Sequence, residues 1–132
     1  MIVPNTLAML WWANGERAQL SAAAASTIDA EMDGDQILVS SMSSWELAML
    51  VERGRVAPSM DIASWLDTLS RIDAVRMVPV DSEIAVKSVQ LPGDFHKDPA
   101  DRIIVATARK FAAPLVSADE KIRAFQEVRT IW

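Results

Sequence analysis

The sequence contains no cysteine, only one histidine and only four glycines. Without cysteine, the chain can form neither a disulfide bond nor a zinc site of the cysteine type. The single histidine, His96, argues against a Ser-His-Asp catalytic arrangement, and no glycine-rich phosphate-binding loop is present. These absences remove several common classes of enzyme and direct attention to the carboxylates.

Long apolar runs are also missing. The longest is far shorter than the roughly 18 residues that a membrane-spanning helix needs. The first residues, MIVPNT, lack the basic start and apolar core of a signal peptide. The composition is 51% hydrophobic and 23% charged, which suits a chain that folds without disulfides or metal. We expect one cytoplasmic domain over residues 1–132, with no membrane contact.

Positive charge is scarce as well. The formal net charge is −5 and the isoelectric point is about 4.8. This charge balance argues against a protein that binds nucleic acid through a broad basic face. An enzyme that meets a phosphate backbone through a metal ion is not excluded, because the ion supplies the local positive charge.

The order of apolar patterns predicts an α/β fold. Continuous apolar runs predict strands at 1–3, 36–41, 75–80 and 113–118, and 128–132 suits an edge strand. Helices are predicted at 5–14, 21–32, 44–54, 61–72, 81–91, 119–125 and from Pro99 onward, with caps at Ser21, which begins a helix closing before Gly34, and at Asp81 or Ser82. Strands that alternate with helices predict one central parallel sheet with helices on both faces.

Polar residues follow three of these strands. Asn5 and Thr6 follow the first, the segment SSMSSWE with Glu46 in the first helical turn follows the second, and Asp119 follows the fourth. Asp98 and Asp101 occupy the start of the helix that leads into the fourth strand. In an open parallel sheet, these positions meet in the crevice at the carboxyl ends of the strands. Carboxylates gathered there repel one another unless a cation neutralises them, and oxygen ligands suit Mg²⁺ or Mn²⁺.

Each acid also has a structural interpretation. Asp98 can cap its helix with Pro99 in the first position, and Asp101 can favour the positive end of the helix dipole. Ser43-x-x-Glu46 and Ser117-x-x-Glu120 both match the capping box. The local patterns therefore leave capping and metal binding open.

Two long segments resemble a known family. They are SSWELAMLVERGRV and LPGDFHKDPADRIIVATARKFAAPLVSADEKI, and together they closely resemble the PIN-domain nucleases, in particular the VapC-type toxins of bacterial toxin–antitoxin pairs. The opening MIVPNTLAMLWW is similar to the family's apolar strand, Asp-Thr pair and apolar helix with two tryptophans. The ending VRTIW also fits.

The resemblance implies a Mg²⁺- or Mn²⁺-dependent endoribonuclease with four acidic positions. Glu46, Asp101 and Asp119 match the second, third and fourth of them. Four further residues adjoin these positions: Asp98, Arg102, Thr6 and Ser117. The family also implies an RNA substrate, a cognate antitoxin protein and a homodimer.

The first acidic position of the family falls on Asn5. An amide oxygen can ligate Mg²⁺, but it carries no charge and cannot act as a base, so metal binding and cleavage should both weaken. The neighbouring Pro4 must lie at a strand end or a bulge, because proline cannot donate to the strand ladder. Asn5 is compatible with a natural loss of catalysis and with a form inactivated for expression.

Three functions compete on these grounds. The first is a metal-dependent ribonuclease toxin. The second is a catalytically silent PIN domain that binds an antitoxin or RNA, which Asn5 favours. The third, a phosphoacceptor signalling domain, lacks the aspartate it needs after the first or second strand.

Several lesser residues have two interpretations. Four tryptophans could stack on bases, but their helical spacing favours core or interface positions; they are Trp11, Trp12, Trp45 and Trp65. The Met and Trp content of the first and third helices suits a groove for a partner helix or second subunit. Arg53 and Arg55 suit RNA contacts or a solvated helix end, and His96 suits a solvated loop or the rim of the site.

Overall fold

The computed structural model describes residues 1–34 and 36–132. Within these ranges it contains five strands, seven α-helices and a short 3₁₀ turn at Arg17–Gln19. The strands are β1 Val3–Pro4, β2 Ile37–Ser40, β3 Val75–Val78, β4 Leu115–Val116 and β5 Thr130–Ile131. The helices are α1 Thr6–Ala13, α2 Ala22–Gly34, α3 Ser41–Glu52, α4 Ile62–Ser70, α5 Ser82–Val89, α6 Pro99–Lys110 and α7 Glu120–Ala124.

All paired strands are parallel. β4 lies between β1 and β5, and β2 pairs with β3. A parallel bridge between Ile2 and Ile37 joins the two groups, with Leu38 N donating to Ile2 O over 2.8 Å. The strand order across the molecule is therefore β3-β2-β1-β4-β5, which confirms the predicted parallel α/β fold.

Alternating strand residues build a core on each face of the sheet. Ile37 and Val39 of β2 pack into one cluster with residues of α1, α2, α3 and α4. Leu38, between them, packs into a second cluster with residues of α5, α6 and α7. Because successive side chains of a strand point to opposite faces, both faces need covering helices. The apolar runs of the strands follow directly from this double burial.

Some predicted boundaries were wrong at the strand–helix junctions. β2 ends at Ser40, whose hydroxyl accepts a hydrogen bond from Met42 N (3.1 Å), and Ser41 already belongs to α3. The capping box at Ser43 and Glu46 does not form, because both residues lie inside the helix and Glu46 lies beyond its first turn. A serine at the strand end therefore provides the cap earlier than the pattern indicated.

Three of the other predicted helix caps are confirmed, and two predicted helix boundaries are wrong. Ser21, Asp81 and Asp98 cap their helices through side-chain oxygens, as predicted. α7 is capped by Asp119 instead of Ser117, and α2 includes Gly34 instead of closing before it. Pro4 is the last residue of β1, as its missing N–H requires. In the parts of the chain that the structure describes, no helix has the length and apolar character to cross a membrane.

Candidate active site

The candidate site lies at the carboxyl edge of the sheet. Asn5 directly follows β1, and Ser117 directly follows β4, which pairs with it. α3 departs from the same edge of β2, and α6 begins there because its other end leads into β4. The parallel topology therefore brings four distant chain segments together, as the crevice rule requires.

Asn5 connects the two central strands. Its Oδ1 accepts a hydrogen bond from Ala8 N (3.0 Å), which caps α1. Its Nδ2 donates to Ser117 Oγ over 2.8 Å. Ser117 Oγ also accepts from Asp119 N at 3.0 Å. The amide of Asn5 is thus fixed at both ends, and the donor role of Nδ2 is one that a carboxylate could not fill.

Glu46 is held from the side of α1. Thr6 Oγ1 donates to Glu46 Oε1 over 2.5 Å, and the buried Ser43 hydroxyl lies 3.1 Å from the same Thr6 oxygen. Because the Thr6 proton goes to the carboxylate, the Ser43 hydroxyl must donate to Thr6. This chain fixes one oxygen of Glu46 and leaves Oε2 for a ligand.

Asp98 and Asp101 share the first turn of α6. Asp98 Oδ2 accepts from Asp101 N (3.0 Å) and caps the helix. Asp101 Oδ2 lies 3.1 Å from His96 Nε2, a ring atom shielded from solvent and without a well-aligned hydrogen bond to any described residue. His96 Nδ1 accepts from Asp98 N over 3.3 Å, so the proton of a neutral ring belongs on Nε2, facing Asp101.

Of the two interpretations of His96, a solvated loop or the rim of the site, the structure supports the rim. Its side chain is only 23% exposed, and Phe95 stacks beside it with ring centroids 4.3 Å apart. In the segment HKDPAD, His96 lies shortly before the first turn of α6, which contains Asp101. This short spacing is the sequence signal that could have predicted the contact.

Asp119 combines two tasks at the start of α7. Its Oδ1 accepts from Lys121 N (2.9 Å) and from Ile122 N (3.1 Å). These bonds cap the helix with one oxygen and leave Oδ2 for a ligand. Capping and metal binding are compatible for this residue.

Burial and neighbouring carboxylates raise the pKa values of Asp101 and Glu46. Burial raises the pKa of Asp101 to about 7, and the charges of Asp98, Asp119 and Glu46 add to the shift. Burial also raises the pKa of Glu46, with a contribution from Asp98, although the Thr6 hydrogen bond acts in the opposite direction. Clustered acids of this kind are expected where a cation or a proton must compensate the charge.

Arg102 acts on the backbone instead of on the acids. Its guanidinium donates to the carbonyl oxygens of Ser88 (2.8 Å), Phe95 (2.9 Å), His96 (3.1 Å) and Val89 (3.2 Å). Arg102 therefore joins the end of α5 to the loop before α6. It also positions the backbone of His96 in that loop.

The oxygen atoms of the site suit a hard cation, but they do not converge on one common position for an ion. Free oxygens remain on Glu46 and Asp119, and all the candidate ligands offer oxygen. Among residues 1–34 and 36–132, no three His, Cys, Asp or Glu side chains are close enough to form a ready metal-binding group. Small side-chain rotations toward an ion would have to complete the site.

A second groove runs beside the crevice along α3. Its volume is about 500 Å³, and it is lined by Met42, Trp45, Met49 and Arg53 together with Glu46 and the start of α6. Trp45 is 55% exposed.

The other four tryptophans pack against the core, with Trp132 partly buried beside it. Trp65 is buried and donates to Asn14 Oδ1 over 3.0 Å, and Trp11 and Trp12 are partly buried. The structure thus supports an interface position for Trp45 and core positions for the rest.

Comparisons with known proteins agree with this arrangement. The family model described as "PIN domain" matches residues 2–128. Ribonuclease VapC22 of Mycobacterium tuberculosis is 36% identical over 124 residues, which span 92% of this chain and 91% of that protein.

Two solved structures have a similar fold. The VapBC2 structure from Rickettsia felis, bound to a DNA fragment from their promoter, has a TM-score of 0.70, 16% identity, and coverage of 98% of this chain and 97% of that one. VapC20 of Mycobacterium tuberculosis, a sarcin-ricin-loop-cleaving toxin, has a TM-score of 0.63, 17% identity, and coverage of 98% and 99%.

Proposed function

This chain belongs to the PIN-domain family and, within it, to the VapC-like ribonuclease toxins, and on that premise we propose that it hydrolyses RNA phosphodiester bonds with a divalent metal ion. The observation that carries the proposal is the group of mutually repelling acids at the sheet edge, where the pKa of Asp101 is raised to about 7.

The proposed ligands are Glu46, Asp101 and Asp119, with the amide oxygen of Asn5 as a neutral fourth. Mg²⁺ or Mn²⁺ suits this all-oxygen set. When bound, such an ion lowers the pKa of a water molecule and neutralises charge on the phosphate. Nothing in this function requires a basic surface, which agrees with the net charge of −5.

The surrounding residues orient these ligands. Thr6 fixes Glu46 Oε1 at 2.5 Å, so the free oxygen of Glu46 faces one direction only. Ser117 links Asn5 to the backbone of Asp119. Asp98 completes the first turn of α6 through Asp101 N, and Arg102 holds the preceding loop. These contacts hold one part of each ligand in place, and side-chain rotations would bring the free oxygens to the ion.

Asn5 is proposed to attenuate the reaction. Its neutral amide removes one negative charge from the ion's surroundings, and Oδ1 already accepts the α1 capping bond. Aspartate is nearly the same size, and Ser117 could turn its hydroxyl proton toward it. The exchange should therefore change charge without disturbing the fold.

The second candidate is a silent PIN domain that binds an antitoxin or RNA. It is favoured by Asn5, whose Nδ2 donates a hydrogen bond to Ser117 Oγ over 2.8 Å. A carboxylate at this position could not donate that bond.

We also propose a cytoplasmic location, a cognate antitoxin and a homodimer. The groove along α3 supports the partner proposals, because Trp45 and its methionine neighbours expose an adaptable apolar face. The fold similarity to the VapBC2 assembly is in agreement.

The test is cleavage of a structured RNA by the wild-type chain and by Asn5→Asp in Mg²⁺ or Mn²⁺. Asn5→Asp should cut at least about tenfold faster, since a unit charge at short range in a partly buried site is worth more than 1 kcal/mol. EDTA and Asp101→Asn in the Asn5→Asp background should each abolish cleavage.

The controls separate the two candidates. Cleavage that persists in EDTA would refute the metal mechanism. Failure of both proteins to cut any RNA, together with tight binding of a small partner protein, would favour the silent module.

A further inference from the structure

A cleft of about 450 Å³ lies between the loop before α6 and the α7 segment. One wall is the loop before α6, with Asp94, Phe95 and His96, and the other is α7 and the residues after it, with Lys121, Phe125 and Glu127. His96 belongs to both the cleft and the acidic cluster, because Nε2 lies 3.1 Å from Asp101 while the ring also lines the cleft. A ligand in the cleft would therefore lie next to the acids.

The floor of the cleft is aromatic and fixed. The Phe95 ring lies 4.3 Å from the His96 ring and 4.8 Å from the Phe125 ring, measured between centroids. Phe125 is buried, and Phe95 and His96 are partly exposed toward the cleft. Arg102 donates to the backbone carbonyls of both loop residues and so positions the backbone that carries the two rings.

The rim of the cleft is polar and of mixed charge. Lys121 supplies a cation two residues after Asp119, and Asp94 and Glu127 supply hydrogen-bond acceptors. Two carboxylates disfavour a small anion or an acidic peptide. An aromatic floor with acceptors at the edge and one cation instead fits a nucleotide, whose base amino groups donate to the acceptors and whose phosphate contacts the lysine.

We propose that this cleft is a nucleotide subsite, which takes the base next to the phosphate held at the acidic cluster. The inference rests on the proposed RNA cleavage for its biological meaning, since it names a part of the substrate. Stacking in the cleft would add affinity for RNA. A chain of net charge −5 gains little affinity for RNA from surface electrostatics. The cleft would also give cleavage a base preference at one position.

The test uses the four ribonucleoside 5′-monophosphates, which carry no phosphodiester bond to cut. In NMR titrations of the labelled wild-type chain with Mg²⁺ present, at least one should shift the His96, Lys121 and Phe125 signals saturably. Ribose 5-phosphate, which has no base, should leave the aromatic signals in place.

Two variants probe the two parts of the cleft. Phe95→Leu keeps an apolar side chain without an aromatic face and should weaken nucleotide binding about tenfold. Lys121→Gln, at an exposed position, should weaken it severalfold and cannot be confused with misfolding. Phe111→Leu is the matched control, because Phe111 is partly buried at the far end of α6, and it should bind as wild type does.

The outcomes separate this inference from the proposed function. Unchanged binding in both cleft variants, or equal aromatic shifts with ribose 5-phosphate, would overturn the subsite even if RNA is cut. Nucleotide binding in the cleft without any RNA cleavage would support the subsite and count against the nuclease. Protection of the same signals by an antitoxin peptide, with no effect of nucleotides, would also overturn it.

Discussion

At the scale of single residues, Asp101 has the most perturbed carboxylate in the site. Its pKa of about 7 arises first from burial and then from three neighbouring acids. Asp101 could be placed in this crevice from the sequence. A helix that leads into a parallel strand begins at the carboxyl edge of the sheet, and Asp101 lies in the first turn of such a helix. The sequence alone could not predict the pKa, which depends on distances to side chains far away in the sequence.

The metal-free protein should become less stable as pH rises from 5 to 8. The folded-state pKa of Asp101 lies above its unfolded value of 3.8, so its contribution is fully present below about pH 4 and is lost as pH rises through about 7. We expect a loss of about 1–2 kcal/mol, reduced from the full shift because the crevice is open to water. Urea unfolding in EDTA at several pH values measures this.

Asp101→Asn is the control for that experiment. It should flatten the profile above pH 5, where the ion-paired acids on the surface are already ionised. A wild-type profile that rises between pH 5 and 8 would contradict the assignment.

His96 should support the metal site by orienting Asp101. His96→Leu removes the Nε2 donor 3.1 Å from Asp101 Oδ2 and should weaken Mn²⁺ binding about tenfold, the lower end of the range for partners of metal ligands. His96→Gln can return a donor to the same place and should recover much of the affinity. Isothermal titration with Mn²⁺ gives the comparison, and equal affinities for Leu and Gln would count against the role.

At the scale of elements, the helix starts account for most errors of prediction from sequence. Helices α5 and α6 begin with the predicted aspartate caps, and α4 begins with an aspartate cap, Asp61, that was not predicted. α3 does not, because several serines at the junction could each cap it and only tertiary packing selects Ser40. Because α3 begins earlier than predicted, Ser43 is buried and forms a hydrogen bond with Thr6. The capping-box pattern did not predict this contact.

Arg102 is the residue on which the loop before α6 depends. Replacing it with methionine leaves four carbonyl oxygens without their donors and should cost about 2 kcal/mol in the free energy of unfolding. Hydrogen exchange should accelerate in residues 91–98 more than in the sheet.

Arg71→Met is the matched control for Arg102. Arg71 forms a largely exposed ion pair with Asp67 (2.9 Å), so its loss should change stability by less than about 0.5 kcal/mol. Equal effects of the two substitutions would show that Arg102 contributes only as a surface charge.

At the scale of the whole molecule, the sequence determined more of the topology than of the site. Double-sided burial makes the strands apolar throughout, so the parallel sheet could be predicted from local pattern. The contacts of Asn5 with Ser117 and of Thr6 with Glu46 join residues that are 112 and 40 positions apart in the sequence, respectively. No local pattern encodes such pairs.

The charge of the whole chain gives a further prediction. Because the net charge of the chain is −5, RNA should bind weakly in EDTA and with a shallow dependence on salt. Addition of Mg²⁺ should tighten binding to the Asn5→Asp variant more than to wild type. Fluorescence anisotropy with a labelled RNA measures both. Tight, steeply salt-dependent binding in EDTA would instead indicate a basic surface.

The pairing of β1 with β4 also has a consequence for how the protein is made. Val3 meets Leu115 and Pro4 meets Val116, so the first strand waits for a partner that is translated more than a hundred residues later. Asn5 reaches Ser117 only when that pairing forms. A nascent chain, or one cut short before β4, therefore lacks an assembled crevice. Closure of the sheet, and with it assembly of the acidic crevice, therefore comes only when translation is nearly finished.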